Sequence, residues 1–301
     1  MMTTQLGFDL GRNRLILLGT KGGPNLRPNS PLPTSHALVW NNRLHVIDAG
    51  YGVSLRLVQA GLPVQALDRI FITHHHSDHS LELGVLIQNA WLCGLKTPVH
   101  VHGPRTTQHL ITHTQEAFRF DIETRISDEG RPDIREMVHV HEYGIASDAC
   151  EILETDEMRV TALRNAHPPV TDSFALRFDL HDANHTRSIV FSGDTAWHPP
   201  LAEFAKGADL LVHEVMYGPG VEALAARNVN ASRIREHLLA SHTLAEDVGR
   251  IATQAGVKKL ALNHFVPADD PSITPEVWRE AVAKNFAGEI IPGADLMEFD
   301  L

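Results

Sequence analysis

The stretch Arg69-Ile-Phe-Ile-Thr-His-His-His-Ser-Asp-His79 constrains this chain more than any other part of it. An apolar, β-branched run of this kind reads as a buried strand, and it ends directly in four cation-binding groups. Side chains two residues apart in an extended segment point the same way, so His74 and His76 can share one ion. Asp78 and His79 fall where the chain turns into the helical pattern that starts at Leu81, and there they face a second ion position. Imidazole and carboxylate together form the donor set that zinc prefers. A solvated His-rich loop would require neither the strand nor the spacing. His75 lies between two donors and points away from both.

Elsewhere, histidine has to be argued by position. The chain has 20 histidines in 301 residues, so most of them are structural or solvated. Short β-branched runs occur at Arg14 to Leu18, Ala37 to Trp40, Leu44 to Asp48, Val99 to His102, Arg159 to Ala162, Phe174 to Asp179, Ser188 to Ser192, Leu210 to His213 and Leu260 to Asn263. They alternate with helical stretches, among which Leu81 to Leu95 and Leu244 to Ala255 carry apolar residues at three- and four-residue spacing. The pattern is α/β with much sheet. Thr243-Leu-Ala-Glu246 reads as a capping box with Thr243 as N-cap, and Gly256 closes that helix. Gly19 to Pro33, with three glycines and four prolines, is a long stiffened loop.

No tandem repeat, low-complexity tract or Gly/Ser linker interrupts the chain, which implies a single domain over residues 1–301. The opening residues have neither a basic nor an apolar signal region, so a cytoplasmic location is expected. No apolar run approaches the ~18 residues of a membrane span; Leu81 to Leu95 is broken by Glu82, Gln88 and Asn89. Two cysteines, Cys93 and Cys150, are too few for a disulfide framework or a thiolate metal site. The net charge of -11 argues against sequence-independent affinity for nucleic acid, so a small-molecule substrate is expected and a nucleic-acid partner is not.

Further donors should come from other strand ends. His167 follows a strand and precedes Pro168-Pro169, Asp194 ends Val-Phe-Ser-Gly-Asp, and His264 ends Lys-Leu-Ala-Leu-Asn-His. Each also has an ordinary reading, as a loop histidine or a turn-forming aspartate. Taken in order, Leu18-Gly-Thr20 with Asp48-Ala-Gly50, the run Thr73 to His79, His167, Phe191-Ser-Gly-Asp194-Thr195 and His264 resemble the metallo-β-lactamase superfamily. Within it the chain resembles the branch of tRNA 3′-endonucleases and dinuclear-zinc arylsulfatases, and the resemblance covers nearly the whole chain.

The resemblance implies an αββα sandwich, two mixed β-sheets between helical layers. It places His74, His76 and His167 on one zinc, Asp78, His79 and His264 on a second, and Asp194 as the bridge between them; manganese or iron could occupy such a donor set. Asp48 would support the metal loop. Leu211-Val-His213-Glu214 and Ser241-His242-Thr243 resemble stretches in which a Glu-His pair assists proton transfer, although Val215 and Met216 depart from the first pattern. The catalytic candidates are therefore His242, Glu214 and Asp78. The expected reaction is hydrolysis by a metal-activated hydroxide of a small ester such as an aryl sulfate, phosphodiester or lactone. A tRNA 3′-processing endonuclease is the alternative. That family adds a basic Gly/Pro-rich arm, whereas Arg119 to Asp156 is on balance acidic here. An iron-dependent redox member of the fold is a further alternative. The branch also suggests a homodimer. Arg27 in the Pro-rich loop and Trp197-His198-Pro199 are the expected substrate contacts.

Overall fold

A computed structural model describes residues 8–144, 149–182, 185–228 and 230–301. The first seven residues of the N-terminal reading, and residues 145–148 of the acidic stretch, lie outside the described residues. The chain forms two compact units. The first comprises Met1–Gly19, Ser35–Gly144 and Leu296–Leu301, and the second Thr20–Thr34 and Ile145–Asp295.

The first unit is built on seven strands: β1 (Arg14–Gly19), β2 (Ser35–Trp40), β3 (Arg43–Ala49), β4 (Leu67–Phe71), β5 (Val99–Pro104), β6 (Val138–Tyr143) and β14 (Met297–Asp300). Their order is β14-β1-β2-β3-β4-β5-β6, antiparallel as far as β3 and parallel from there on. The antiparallel part needs only tight turns. Between β2 and β3, Asn41 (φ 47°) and Asn42 (φ 58°) both adopt left-handed backbone, the conformation a two-residue hairpin loop demands and asparagine tolerates. The parallel part needs crossovers, supplied by α1 (Val53–Gln59), α2 (Ser77–Ser80), α3 (Leu83–Leu92), α4 (Thr107–Ala117) and α5 (Arg119–Glu129). In α3, Leu83, Leu86, Ile87, Ala90 and Trp91 form one buried stripe against the sheet. Each large side chain so buried contributes roughly 1.5–3 kcal/mol.

The second unit holds β7 (Cys150–Glu154), β8 (Met158–Arg164), β9 (Phe174–His181), β10 (Thr186–Phe191), β11 (Leu210–Met216), β12 (Lys259–Val266) and β13 (Glu289–Pro292). Their order is β13-β12-β11-β10-β9-β8-β7, antiparallel from β7 to β10 and parallel from β10 to β13. Its helices are α6 (Pro200–Phe204), α7 (Gly218–Arg227), α8 (Ile234–Ser241), α9 (Ala245–Ala255) and α10 (Pro275–Ala283). The amphipathic α9 packs Val248, Ile251, Ala252 and Ala255 into this unit's core. The expected architecture of two mixed sheets flanked by helices is thus the one observed.

Local expectations differ in three places. The strand before the histidines ends at Phe71, and two residues on the backbone N–H of Thr73 donates to the Asp48 side chain and not to a strand backbone. The helical stretch expected over Leu81 to Leu95 is the shorter α3, and a separate turn of helix, α2, precedes it, with exposed Leu81 between the two. The capping box is not formed. Leu244 is the N-cap of α9 without a side-chain cap, while the Thr243 hydroxyl donates to the carbonyl of Thr195 and Glu246 pairs with Lys284. Gly256 does close the helix in left-handed conformation. Cys93 and Cys150 are exposed and unpaired with each other. Among the described residues no helix is long and apolar enough to cross a membrane.

His45 on β3 and His213 on β11 are wholly buried, and that burial lowers each imidazole from 6.5 to about 4, in His45 against the opposing pull of Asp68. Above pH 6.5 both are neutral whether folded or unfolded. Below it the unfolded chain takes up protons that the folded chain refuses. Stability is therefore complete above pH 6.5 and declines as the pH falls toward about 4, by about 1.4 kcal/mol per pH unit for each group. Urea unfolding across this range should show the decline, and His45→Phe should reduce its slope by one proton. An unfolding free energy independent of pH over the range would contradict the assignment.

Candidate metal centre

In the first unit the donors gather at the ends of β3 and β4. The Asp48 carboxylate accepts from the backbone N–H of Thr73 at 2.8 Å and from its hydroxyl at 2.9 Å. It also accepts from Nδ1 of His79 at 2.8 Å. A carboxylate only accepts, so the His79 proton sits on Nδ1 and the lone pair on Nε2, which lies 3.7 Å from Oδ2 of Asp78. His74 is completely buried. Its Nε2 stands 3.0 Å from Nδ1 of His76, and its ring centroid 4.1 Å from that of His79. The four residues expected from the sequence run are thus brought together. His75 turns away and meets the hydroxyl of Thr107 at 3.0 Å. Asp48 itself has φ 59°, a conformation that costs about 1–3 kcal/mol outside glycine.

In the second unit, Asp194 follows β10 after a turn at Gly193. Asn165 donates its side-chain amide to the carbonyls of Ser192 (2.7 Å) and Asp194 (3.1 Å), and the Ser173 hydroxyl donates to the same Asp194 carbonyl at 3.0 Å. These bonds hold the turn rigid. His167 donates Nδ1–H to the carbonyl of Ser241 at 2.9 Å, which leaves Nε2 as its lone-pair nitrogen. That Nε2 lies 4.0 Å from Oδ2 of Asp194, and Nε2 of His264 lies 3.2 Å from the same oxygen. One carboxylate oxygen therefore stands between two imidazoles from different segments, the loop after β8 and strand β12.

Beside them, Glu214 accepts from the backbone N–H of Thr195 at 2.6 Å and from Nδ1 of His242 at 2.8 Å. His242 is not a residue before a helix cap; it ends α8 in extended conformation. Its ring stacks on that of His264 at 5.4 Å. Glu214, His242 and His264 offer ligand atoms within 4.8 Å of one another. His213 donates to the Glu214 carbonyl and takes no part in this cluster. Arg27 pairs with Asp269, while Trp197 is exposed and His198 half-buried.

Asn165, Ser173 and Thr195 were not legible as site residues, since nothing near a small polar residue in sequence marks it as the anchor of a turn. Asp194, His264 and His167 were legible only through the order of motifs. The donor chemistry fits metal: buried imidazoles whose second nitrogen is committed to an acceptor, together with buried carboxylates, are the ligand and supporting groups of zinc-type sites.

Two outcomes follow. Asp48→Asn leaves the backbone in place but removes an acceptor from His79, and it should weaken metal retention by about 10- to 100-fold in equilibrium dialysis; unchanged retention would show that His79 is oriented by something else. Gly193 has φ +56°, and a Cβ there would lie 2.4 Å from the Phe174 carbonyl oxygen. Gly193→Ala should cost about 2–4 kcal/mol in urea unfolding.

A family model described as the anti-Pycsar protein Apyc1 matches residues 33–226. Ribonuclease Z of Mycobacterium bovis (strain BCG / Pasteur 1173P2) is 30% identical over 285 residues, spanning 94% of this chain and 96% of the relative. Two solved structures share the fold at 20% identity. The metallo-β-lactamase fold protein YhfI from Bacillus subtilis has a TM-score of 0.68 over 95% of this chain and 98% of its own. The short form of human tRNase Z has a TM-score of 0.67 over the same shares.

The ribonuclease Z similarity corrects two expectations: the small ester, with its arylsulfatase-like substrates, and the absence of a nucleic-acid partner. The iron-dependent redox alternative receives no support from these relatives either. The error has a physical origin, because a net charge of -11 averages over 301 residues while phosphate is met locally, where bound cations supply the positive charge. With chain-long similarity and both donor sets in place, the chain belongs to the metallo-β-lactamase superfamily of metal-dependent hydrolases, in its ribonuclease Z-like branch, and to the family of the anti-Pycsar protein Apyc1.

Proposed function

We propose that residues 1–301 act as a single zinc-dependent phosphodiesterase domain, a tRNA 3′-processing endonuclease, a reading supported by the similarity to ribonuclease Z and to the short form of human tRNase Z. In this reading, carried over from the family resemblance, His74, His76 and His167 would hold one ion, Asp78, His79 and His264 the other, and Asp194 would serve both. The observation that carries it is the approach of His167 and His264 to one oxygen of Asp194, at 4.0 and 3.2 Å, as a bridging carboxylate requires. When bound, a zinc pair supplies a water acidic enough to attack at neutral pH and positive charge for the phosphate oxygens.

The remaining work falls to the chain's own residues. Glu214 fixes the Nδ1–H of His242 and directs its Nε2 outward, so His242 is placed to protonate the departing ribose oxygen. The Glu214 carboxylate favours the imidazolium that must exist before that transfer. Trp197 and His198, just beyond Asp194, are the groups proposed to contact the substrate. A cytoplasmic site of action belongs to the same reading.

Zinc-loaded protein should cut a 3′-extended precursor tRNA at one position, and His76→Ala should abolish the cut. His242→Ala should lower kcat by about 10²- to 10⁴-fold with metal content unchanged. Fully loaded protein that leaves precursor tRNA intact would overturn the substrate assignment, and a His242→Ala variant of undiminished kcat would remove its acid.

A further inference from the structure

A further imidazole of the second unit stands beside the donors already described. His237 lies on α8, one helical turn before Ser241 and therefore on the same face. Its ring meets that of His167 edge-on with centroids 6.2 Å apart, and that of His242 edge-on at 5.9 Å and 88°. His167 and His242 are themselves 5.4 Å apart, so three rings from two segments close on one another. His167 and His242 are buried, whereas His237 is only half-buried. Of the three rings it is the one most open to a bound molecule.

Ser241 sets the polarity of this ring. Its hydroxyl has one proton, which it donates to the carbonyl of Pro168 at 2.6 Å. Toward Nδ1 of His237, 3.4 Å away, the same oxygen can only accept. In the neutral ring the proton is therefore on Nδ1, and Nε2 is the accepting nitrogen. A phosphate oxygen also only accepts and makes no hydrogen bond to such a nitrogen. A hydroxyl does, because it can donate.

RNA carries a hydroxyl next to the reacting bond. His242 is placed to protonate the departing ribose oxygen, and when that is a 3′ oxygen the 2′-hydroxyl stands on the adjacent carbon. Two hydrogen bonds of about 2.8 Å that converge on neighbouring oxygens of one ribose suit two rings 5.9 Å apart. We propose that His237 accepts the 2′-hydroxyl of the ribose whose 3′ oxygen departs, and so distinguishes RNA from DNA at the cut. The inference rests on the endonuclease reading and on His242 as its acid. No proton changes hands at His237; its bond holds the ribose so that the 3′ oxygen faces Nε2 of His242.

The test gives zinc-loaded, full-length protein two 3′-extended precursor tRNAs that differ only in the nucleotide whose 3′ oxygen departs, a ribose in one and its 2′-fluoro analogue in the other. Fluorine keeps the electron withdrawal of the hydroxyl but cannot donate a hydrogen bond. Wild type should cut the 2′-fluoro precursor with a kcat/KM about 3- to 10-fold lower, the worth of one neutral hydrogen bond. His237→Ala should cut the two precursors equally well. His237→Phe, which keeps a packed ring but has no acceptor, should do the same. The Kd for cleaved tRNA ending in either sugar should differ likewise in wild type and not in the variants. Equal values for wild type, or a difference that survives in both variants, would overturn the role of His237 and leave the endonuclease reading standing. An all-ribose precursor left intact by wild type would overturn that reading and this inference together.

Discussion

An imidazole has one proton and one lone pair in its neutral form, and it can bind a cation only through the nitrogen that the proton does not occupy. In this chain that choice is made by buried acceptors. Asp48 takes the proton side of His79, the Ser241 carbonyl takes that of His167, and Glu214 takes that of His242. Two of these acceptors are themselves tied to a strand end or to the loop beyond one. Asp48 holds the backbone of Thr73, and Glu214 holds the backbone of Thr195. The orientation of the donors is thus transmitted from the sheets through single hydrogen bonds, and the loops that carry the histidines have little conformational choice left.

The legibility of the site follows from how local each signal is. The four donors from His74 to His79 sit within six consecutive residues behind an apolar run, so strand, turn and ligand set are read together. His167, Asp194 and His264 are each a single polar residue at the end of a β-rich segment, and one sequence holds nothing that pairs them; only the order of motifs does. The strands followed the same logic. All ten β-branched runs became strands, whereas β6 alternates valine with histidine, β7 is rich in acid, and β13 and β14 are four residues each at sheet edges. Such strands are specified by their neighbours and not by their own composition. Thr243 failed as a cap for a related reason: the Thr195 carbonyl offered its hydroxyl a partner within the site.

Substrate class was the least legible property because charge was read as a sum. A chain can be acidic overall and still act on a polyanion when the cations that meet the phosphate are bound ions held by carboxylates. Some of the acidic groups that lower the net charge are the buried carboxylates of the donor clusters. Asp48, Asp78, Asp194 and Glu214 each count as a negative charge in the composition, yet every one is buried. They say little about what the surface attracts.

The turn at Gly193 bears on how such a protein can diversify. Behind Asp194 the turn is held by the absent side chain at Gly193, the Asn165 amide and the Ser173 hydroxyl. Trp197, a few residues ahead, is exposed, and it is not among the groups that hold the turn. Under the proposed function, ligation and recognition fall on opposite sides of one short loop. Substitutions can accumulate on the outer side without disturbing the inner, so lineages built on this scaffold can drift toward new substrates while the ion-binding apparatus stays frozen.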